Sequence, residues 1–235
     1  MFCFYLHTHA QSERYLEYGG GVGAAIYQGD ISPYALGTIK RPGLSVQLLG
    51  NLNLSSALSV RLNYAFAFLS ESDKNYGYDY KPHRNFSFET KVNEFSIHFV
   101  FNPLSNNGYE EYHSLVPYMF TGVGIGFLNV SRDWSQFEHG WKYWQKWVAP
   151  GLAEDSMHVP PKYVLTLPVG LGLKYQLEDN ISIFGEISKR FTQEEYLDGF
   201  SKAANQKKRD GFSTVTVGVI FRRSSDYTSR RIRYY

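Results

Sequence analysis

The chain has 235 residues and a formal net charge of +2, a balance that does not point to nucleic acid as a partner. Aromatics make up 17% of it, and Cys3 is its one cysteine, which excludes a disulfide framework and a cysteine-built metal site. No apolar run reaches the roughly 18 residues that a membrane-crossing helix needs. The first residues include the short apolar run Phe2-Cys3-Phe4-Tyr5-Leu6, followed by Thr8-His9-Ala10. Small residues at this spacing read as a signal-peptidase site, so residues 1–10 are expected to be the remnant of an export signal.

Eight segments then alternate large apolar residues with small or polar ones, the period-two pattern of strands with one apolar face. The first, about 15–27, sets Leu16, Tyr18, Val22 and Ile26 against Glu17, Gly19, Gly21 and Gly23. The second, about 43–52, sets Leu44, Val46 and Leu48 against Ser45 and Gln47. The third, about 58–70, sets Val60, Leu62, Tyr64, Phe66 and Phe68 against Arg61, Asn63, Ala65 and Ala67. In the fourth, about 85–102, Phe95, Ile97, Phe99 and Phe101 oppose Glu94, Ser96 and His98. Its first half puts Phe86 and Phe88 in the other phase, which calls for a bulge or for projection beyond a bilayer.

The fifth, about 115–129, sets Val123, Ile125 and Phe127 against Gly122, Gly124 and Gly126. The sixth, 163–175, is the clearest: Tyr163, Leu165, Leu167, Val169, Leu171, Leu173 and Tyr175 share one face. Twelve steps of roughly 3.3 Å, tilted by about 40°, rise on the order of 30 Å, the height of a bilayer's apolar band. The seventh, about 181–191, sets Ile181, Ile183 and Ile187 against Glu186, Ser188 and Arg190. The eighth, about 212–222, sets Val215, Val217, Val219 and Phe221 against Thr214, Thr216 and Gly218.

Short and long connections alternate, as in outer-membrane barrels, whose short turns are periplasmic. A soluble lipocalin-type barrel would put the apolar set inside. Here the ionisable residues Glu17, Arg61, Glu94, His98, Lys174, Glu186 and Arg190 all fall in the opposite set. Eight strands enclose a space that side chains just fill, so these charges are expected inside and paired, as a plug rather than a gate or proton path. The predicted fold is all-β: an eight-stranded antiparallel up-and-down transmembrane barrel over residues 11–223, with long extracellular loops. A basic and aromatic periplasmic tail, 224–235, follows it. Both termini are expected in the periplasm.

No zinc spacing, phosphate-cradling loop or nucleotide fingerprint occurs, so no catalytic residue and no cofactor is expected. Four tryptophans, Trp134, Trp141, Trp144 and Trp147, lie in the loop 130–162, and 141–147 reads as a short helix. That loop suits either a lid over the barrel mouth or a contact with another protein or the outer leaflet. In the tail, Arg230, Arg231, Arg233, Tyr234 and Tyr235 are candidate partner contacts, if the tail is not simply solvated.

Four motifs in order carry a family resemblance. They are Tyr27-Gln28-Gly29-Asp30; Phe86-Ser87-Phe88-Glu89-Thr90 leading into Glu94-Phe95-Ser96; and Pro117-Tyr118-Met119-Phe120-Thr121-Gly122-Val123-Gly124. The last is Arg190-Phe191-Thr192 followed by Tyr196-Leu197-Asp198-Gly199-Phe200-Ser201. Together they resemble the PorG-like, OmpA-like outer-membrane barrels of the Bacteroidetes type IX secretion system, with a departure at Gly199, where an acid is expected. The resemblance implies a non-enzymatic secretion component. It would sit among outer-membrane lipids and anchor a periplasmic ring of PorK-like lipoprotein and PorN-like subunits. The alternatives are a generic structural or adhesive barrel and a lipid-modifying barrel enzyme.

Overall fold

The computed structural model describes residues 15–29, 41–55, 57–77, 81–104, 115–138, 140, 146, 148–193, 197–200, 203 and 211–223. The export-signal remnant, the tail with its candidate contact residues, and Trp141, Trp144 and Trp147 lie outside them. Eight antiparallel strands form one closed barrel in chain order. They are β1 (Tyr15–Gln28), β2 (Gly43–Asn53), β3 (Leu58–Ser72), β4 (Ser87–Phe101), β5 (Leu115–Asp133), β6 (Tyr163–Glu178), β7 (Ile181–Thr192) and β8 (Gly211–Arg223). Closure comes from β1 on β8, in register from Leu16↔Arg223 to Gln28↔Gly211.

Burial decides which face is which. Leu62, Phe99 and Val123 are 63%, 65% and 65% exposed, whereas Arg61, Glu94 and His98 are 1%, 1% and 0% exposed. Apolar side chains outside and charges inside are the inverse of a soluble core and suit a wall in contact with lipid. Among the described residues no helix is long and apolar enough to cross a membrane.

One end of the barrel has two short connections, β2–β3 and β6–β7, beside the moderate connection 102–114 between β4 and β5. Asp179 and Asn180 alone join β6 to β7, and Asn180 C=O accepts from Arg222 N–H at 2.8 Å. Between β2 and β3 the Ser55 hydroxyl accepts from the N–H groups of Ala57 and Leu58. The other end carries the long loops, whose described residues include a 3-10 turn, Asp73–Asn75, and the short helices α1 (Lys81–Arg84) and α2 (Ala149–Met157). Helix α2 lies just after the tryptophan-rich segment for which a helix was expected.

Strands β3, β4 and β5 overrun their neighbours at the long-loop end. The β4–β5 ladder continues to Ser87↔Asp133, while β5–β6 stops at Phe127↔Tyr163 and β2–β3 at Ser45↔Ala67. Prolines explain both limits. Continuing the registers would set Pro42 against Ser70 and Pro160 against Val130, and proline has no N–H for a ladder. Pro168 has the same effect inside β6, where pairing with β5 lapses between Thr121↔Val169 and Gly124↔Thr166.

The unbroken β3–β4 and β4–β5 registers exclude a bulge in the first half of β4. Phe88 and Val92 point inward like Glu94 and His98, and Glu89 and Lys91 point outward. The chain keeps its phase while the chemistry of the two faces inverts. That is the projection beyond the bilayer, where water lies outside and the core must be apolar.

Backbones approach closely where the barrel closes. A Cβ on Gly23 of β1 would lie 1.9 Å from Val215 O on β8, a backbone atom that cannot move aside locally. Gly23→Val is therefore expected to prevent closure. Overpacking alone costs about 1–3 kcal/mol. Gly185→Val, whose added Cβ has no neighbour within 4 Å, serves as the tolerated control. The compact, fast-migrating band of unheated protein on detergent gels should vanish for the first and persist for the second.

Candidate functional site

The first site is the lumen. Glu17, near the short-turn end, accepts from Lys174 Nζ at 3.0 Å and from Asn51 Nδ2 at 3.1 Å, with Arg222 Nη2 at 3.6 Å. Asn51 Oδ1 accepts from Arg61 Nε at 2.8 Å. The Arg61 guanidinium pairs with Glu186, which also accepts from Tyr118 OH at 2.7 Å and Gln47 Nε2 at 3.0 Å. Gln47 donates on to Asn63, and Asn63 to Ser96. Ser96 Oγ lies 2.9 Å from His98 Nε2 and 3.2 Å from Glu94 Oε1. Arg190 Nε stands 3.5 Å from Glu94, and Arg190 Nη1 donates to Ser188 and Thr214.

All seven ionisable residues assigned to the interior thus join one polar ladder along the bore. Aromatic rings fill what it leaves. Tyr118 and Phe120 lie against Gly172 and Gly170, the Arg61 guanidinium sits 5.4 and 5.2 Å from their ring centres, and Phe120 stacks on His98 at 5.0 Å. Sequence reasoning missed Arg222 as a lumen charge, although it closes the eighth predicted segment and lies one residue from the end of β8. Its side chain turns inward, over the Tyr15 ring at 4.1 Å, and makes a fourth strong base beside three acids.

The second site, also missed as a unit, is a lid over the long-loop mouth. Asp198 Oδ2 accepts from Tyr27 OH at 2.6 Å, and Oδ1 accepts from Phe200 N–H at 2.8 Å. Thr90 Oγ1 donates to Leu197 O at 2.8 Å, and Arg132 donates to Gly199 O at 2.6 Å and His158 O at 2.8 Å. Asp155 of α2 accepts from Ala203 N–H at 2.8 Å. Arg84 grips Asp73 with two bonds of 2.6 and 2.8 Å. Beneath these, Phe200 stacks on Phe86 at 4.6 Å, Phe88 meets Tyr27 at 4.6 Å, and Trp134 meets Phe200 edge-on at 6.1 Å.

The lid draws on three of the four family motifs. Gly199 has φ +82°, the left-handed region that glycine enters freely, which accounts for glycine where an acid was expected. Burial pushes the Asp198 carboxyl up to about 7. Its bonds from Tyr27 and Phe200 and the charge of Arg84 pull the other way, and Asp155 adds to the rise.

Among the described residues no three His, Cys, Asp or Glu side chains gather as a metal centre. Ser96 bonds to both His98 and Glu94, but the three are 6%, 0% and 1% exposed, so no substrate reaches them in this state.

Two predictions follow from this geometry. Glu186→Gln leaves the Arg61 charge without its counter-ion, and breaking one side of a buried pair costs about 3–5 kcal/mol. Urea titration of the folded barrel in detergent should show that loss, and a much smaller one for Glu186→Met combined with Arg61→Met. The raised Asp198 group stabilises the lid most below its unfolded value of 3.8, and that contribution is lost as pH rises through about 7. Hydrogen-exchange protection of the Phe200 amide, corrected for intrinsic rate, should fall across that window and stay level in Asp198→Asn.

Among solved structures the chain is similar to Neisserial surface protein A (NspA), at 11% identity and TM-score 0.50, covering 88% of this chain and 96% of that one. It is also similar to the outer membrane protein OprG of Pseudomonas aeruginosa, at 9% identity and TM-score 0.47 over 91% and 98% of the two chains. A major outer membrane protein of Thermus thermophilus gives 14% identity and TM-score 0.47 over 88% and 99%. The likeness to NspA is one of fold. No curated protein matches the chain in sequence. A family model matches residues 1–221, nearly the whole barrel, and on that match the chain belongs to the family described as a domain of unknown function, DUF6089.

Proposed function

We propose that this protein is a non-enzymatic outer-membrane barrel that anchors a periplasmic ring of PorK-like and PorN-like subunits in a type IX-like secretion system. The filled bore carries this reading. Ion pairs occupy the interior from Glu17 to Arg190, and Phe86, Phe88 and Phe200 close it above. A barrel whose interior is taken up by its own side chains works through its surfaces.

The short-turn end is the surface for a periplasmic partner. β1 begins and β8 ends there, with Leu16 beside Arg223, so chain continuing from either strand leaves on that side. In outer-membrane barrels the short turns face the periplasm. The family motifs support the identity of the partner, and the basic tail supplies charge for docking. A second reading, an adhesive barrel, draws on Met157 and Val159. They are 79% and 77% exposed at the opposite end, a placing that suits contact with a surface ligand.

The test is capture of partners by the tagged full-length protein from the organism that makes it. Ring-type lipoprotein and periplasmic subunits should co-purify. Truncation after Arg223 should leave barrel insertion intact and weaken capture severalfold. Absence of ring subunits sinks the anchoring role, and altered lipid A in a deletion strain would favour a lipid-modifying enzyme instead.

A further inference from the structure

The outward face of β3, β4 and β5 changes chemistry in a fixed order along the barrel axis. Below the polar part lies an apolar groove of about 730 Å³ flanked by Leu62, Phe95, Ile97, Val123 and Ile125. It opens beside Gly50 of β2, where an added Cβ would meet nothing within 4 Å. Above it Tyr64 OH donates to Asn93 Oδ1 at 2.8 Å. The next row is Phe68, Lys91 and Asn129, then Ser70, Glu89 and Ser131, then Ser72, Ser87 and Asp133. The two upper rows line a second, polar groove of about 480 Å³ with Arg41 at its side. Among the described residues the side chains of Ser70, Glu89 and Ser131 form no hydrogen bond, so their capacity faces outward.

The two grooves lie on one sheet face whose β3–β4–β5 register is unbroken. A molecule lying on the lower part therefore carries its upper part over the polar rows. From Lys91 to Ser87 the polar stretch is four residues, which at about 3.3 Å each and a tilt of about 40° rises roughly 10 Å. The headgroup zone of a phospholipid leaflet is only about 5–7 Å deep. The face is thus too tall for a phospholipid head and matches a larger one.

Resting on the outer-membrane reading above, we propose that this face is a binding site for one phosphorylated, sugar-headed lipid of the outer leaflet. Its acyl chains fill the lower groove. Lys91, at the boundary row, meets the phosphate as a cation held at headgroup depth. The serine hydroxyls, Glu89, Asp133 and Arg41 hydrogen-bond the sugar. The two carboxylates would repel a phosphate at their own level, but they accept well from sugar hydroxyls, which sets the phosphate at Lys91 and the sugar above it.

The test uses the full-length protein in detergent with lipid A or phosphatidylglycerol added at equal concentration, read by native mass spectrometry. Wild type should retain lipid A in clear preference. Lys91→Glu, which removes one positive charge and adds a negative one, should lower lipid A retention by about thirtyfold. Gly50→Leu, which fills the acyl groove from outside, should also lower it, with the heat-sensitive gel band of the folded barrel unchanged in both variants. Equal retention of the two lipids by wild type, or unchanged lipid A binding in Lys91→Glu, overturns the site while leaving the barrel in its membrane. Sedimentation of the protein away from the outer-membrane fraction overturns the site and the reading beneath it together.

Discussion

A closed eight-stranded barrel has an interior that side chains just fill, and the rest of this structure depends on how that space is occupied. The protein fills it with charge. Three carboxylates and four strong bases are buried where neither sign is tolerable alone, so each is tied to a partner or to an amide that leads to one. Rings lie over the glycines of β6, against the wall that has no side chains there. The filling also stiffens the barrel, because Arg61 on β3 and Glu186 on β7 join strands on different sides of the lumen.

The same constraint explains the inversion along β3, β4 and β5. In the bilayer the outside must be apolar and the interior can be polar. Past the bilayer the outside meets water and the interior needs an apolar core. The strands keep their alternation across that boundary, so only residue types change: inward from His98 and Glu94 to Val92 and Phe88, outward from Phe95 to Lys91 and Glu89. The lid completes the upper core, and three buried aspartates, Asp73, Asp155 and Asp198, pin its loops. Proline stops β2 and β6 from following, so among the described strands β3 and β5 form the edges of the extension.

The strands and the lumen charges were legible in the sequence because period-two alternation is local: a residue's face follows from its parity within one strand. Glu17, Lys174 and Glu186 were assigned to the interior on that ground, and Lys174 is bonded to Glu17. Arg222 shares the parity of Thr214, Thr216 and Gly218, so its face was legible, but it closes the eighth segment beside a basic run and was not counted among the lumen charges. A lid was one reading of the tryptophan loop, but its joining to the segment around Asp198 was not legible. Tyr27 and Asp198 are 171 positions apart, and nothing near either one marks it as the other's partner.

By itself the sequence determined the number of strands, their order, which side of each faces lipid, and which end carries the long loops, because each of these is written in short-range alternation and in the spacing between strands. Only the tertiary structure decided who pairs with whom inside the bore, where β3, β4 and β5 leave the membrane, and that three separated motifs meet in one lid. Those outcomes depend on register and closure, which bring residues from distant strands together in a space whose size no single strand specifies.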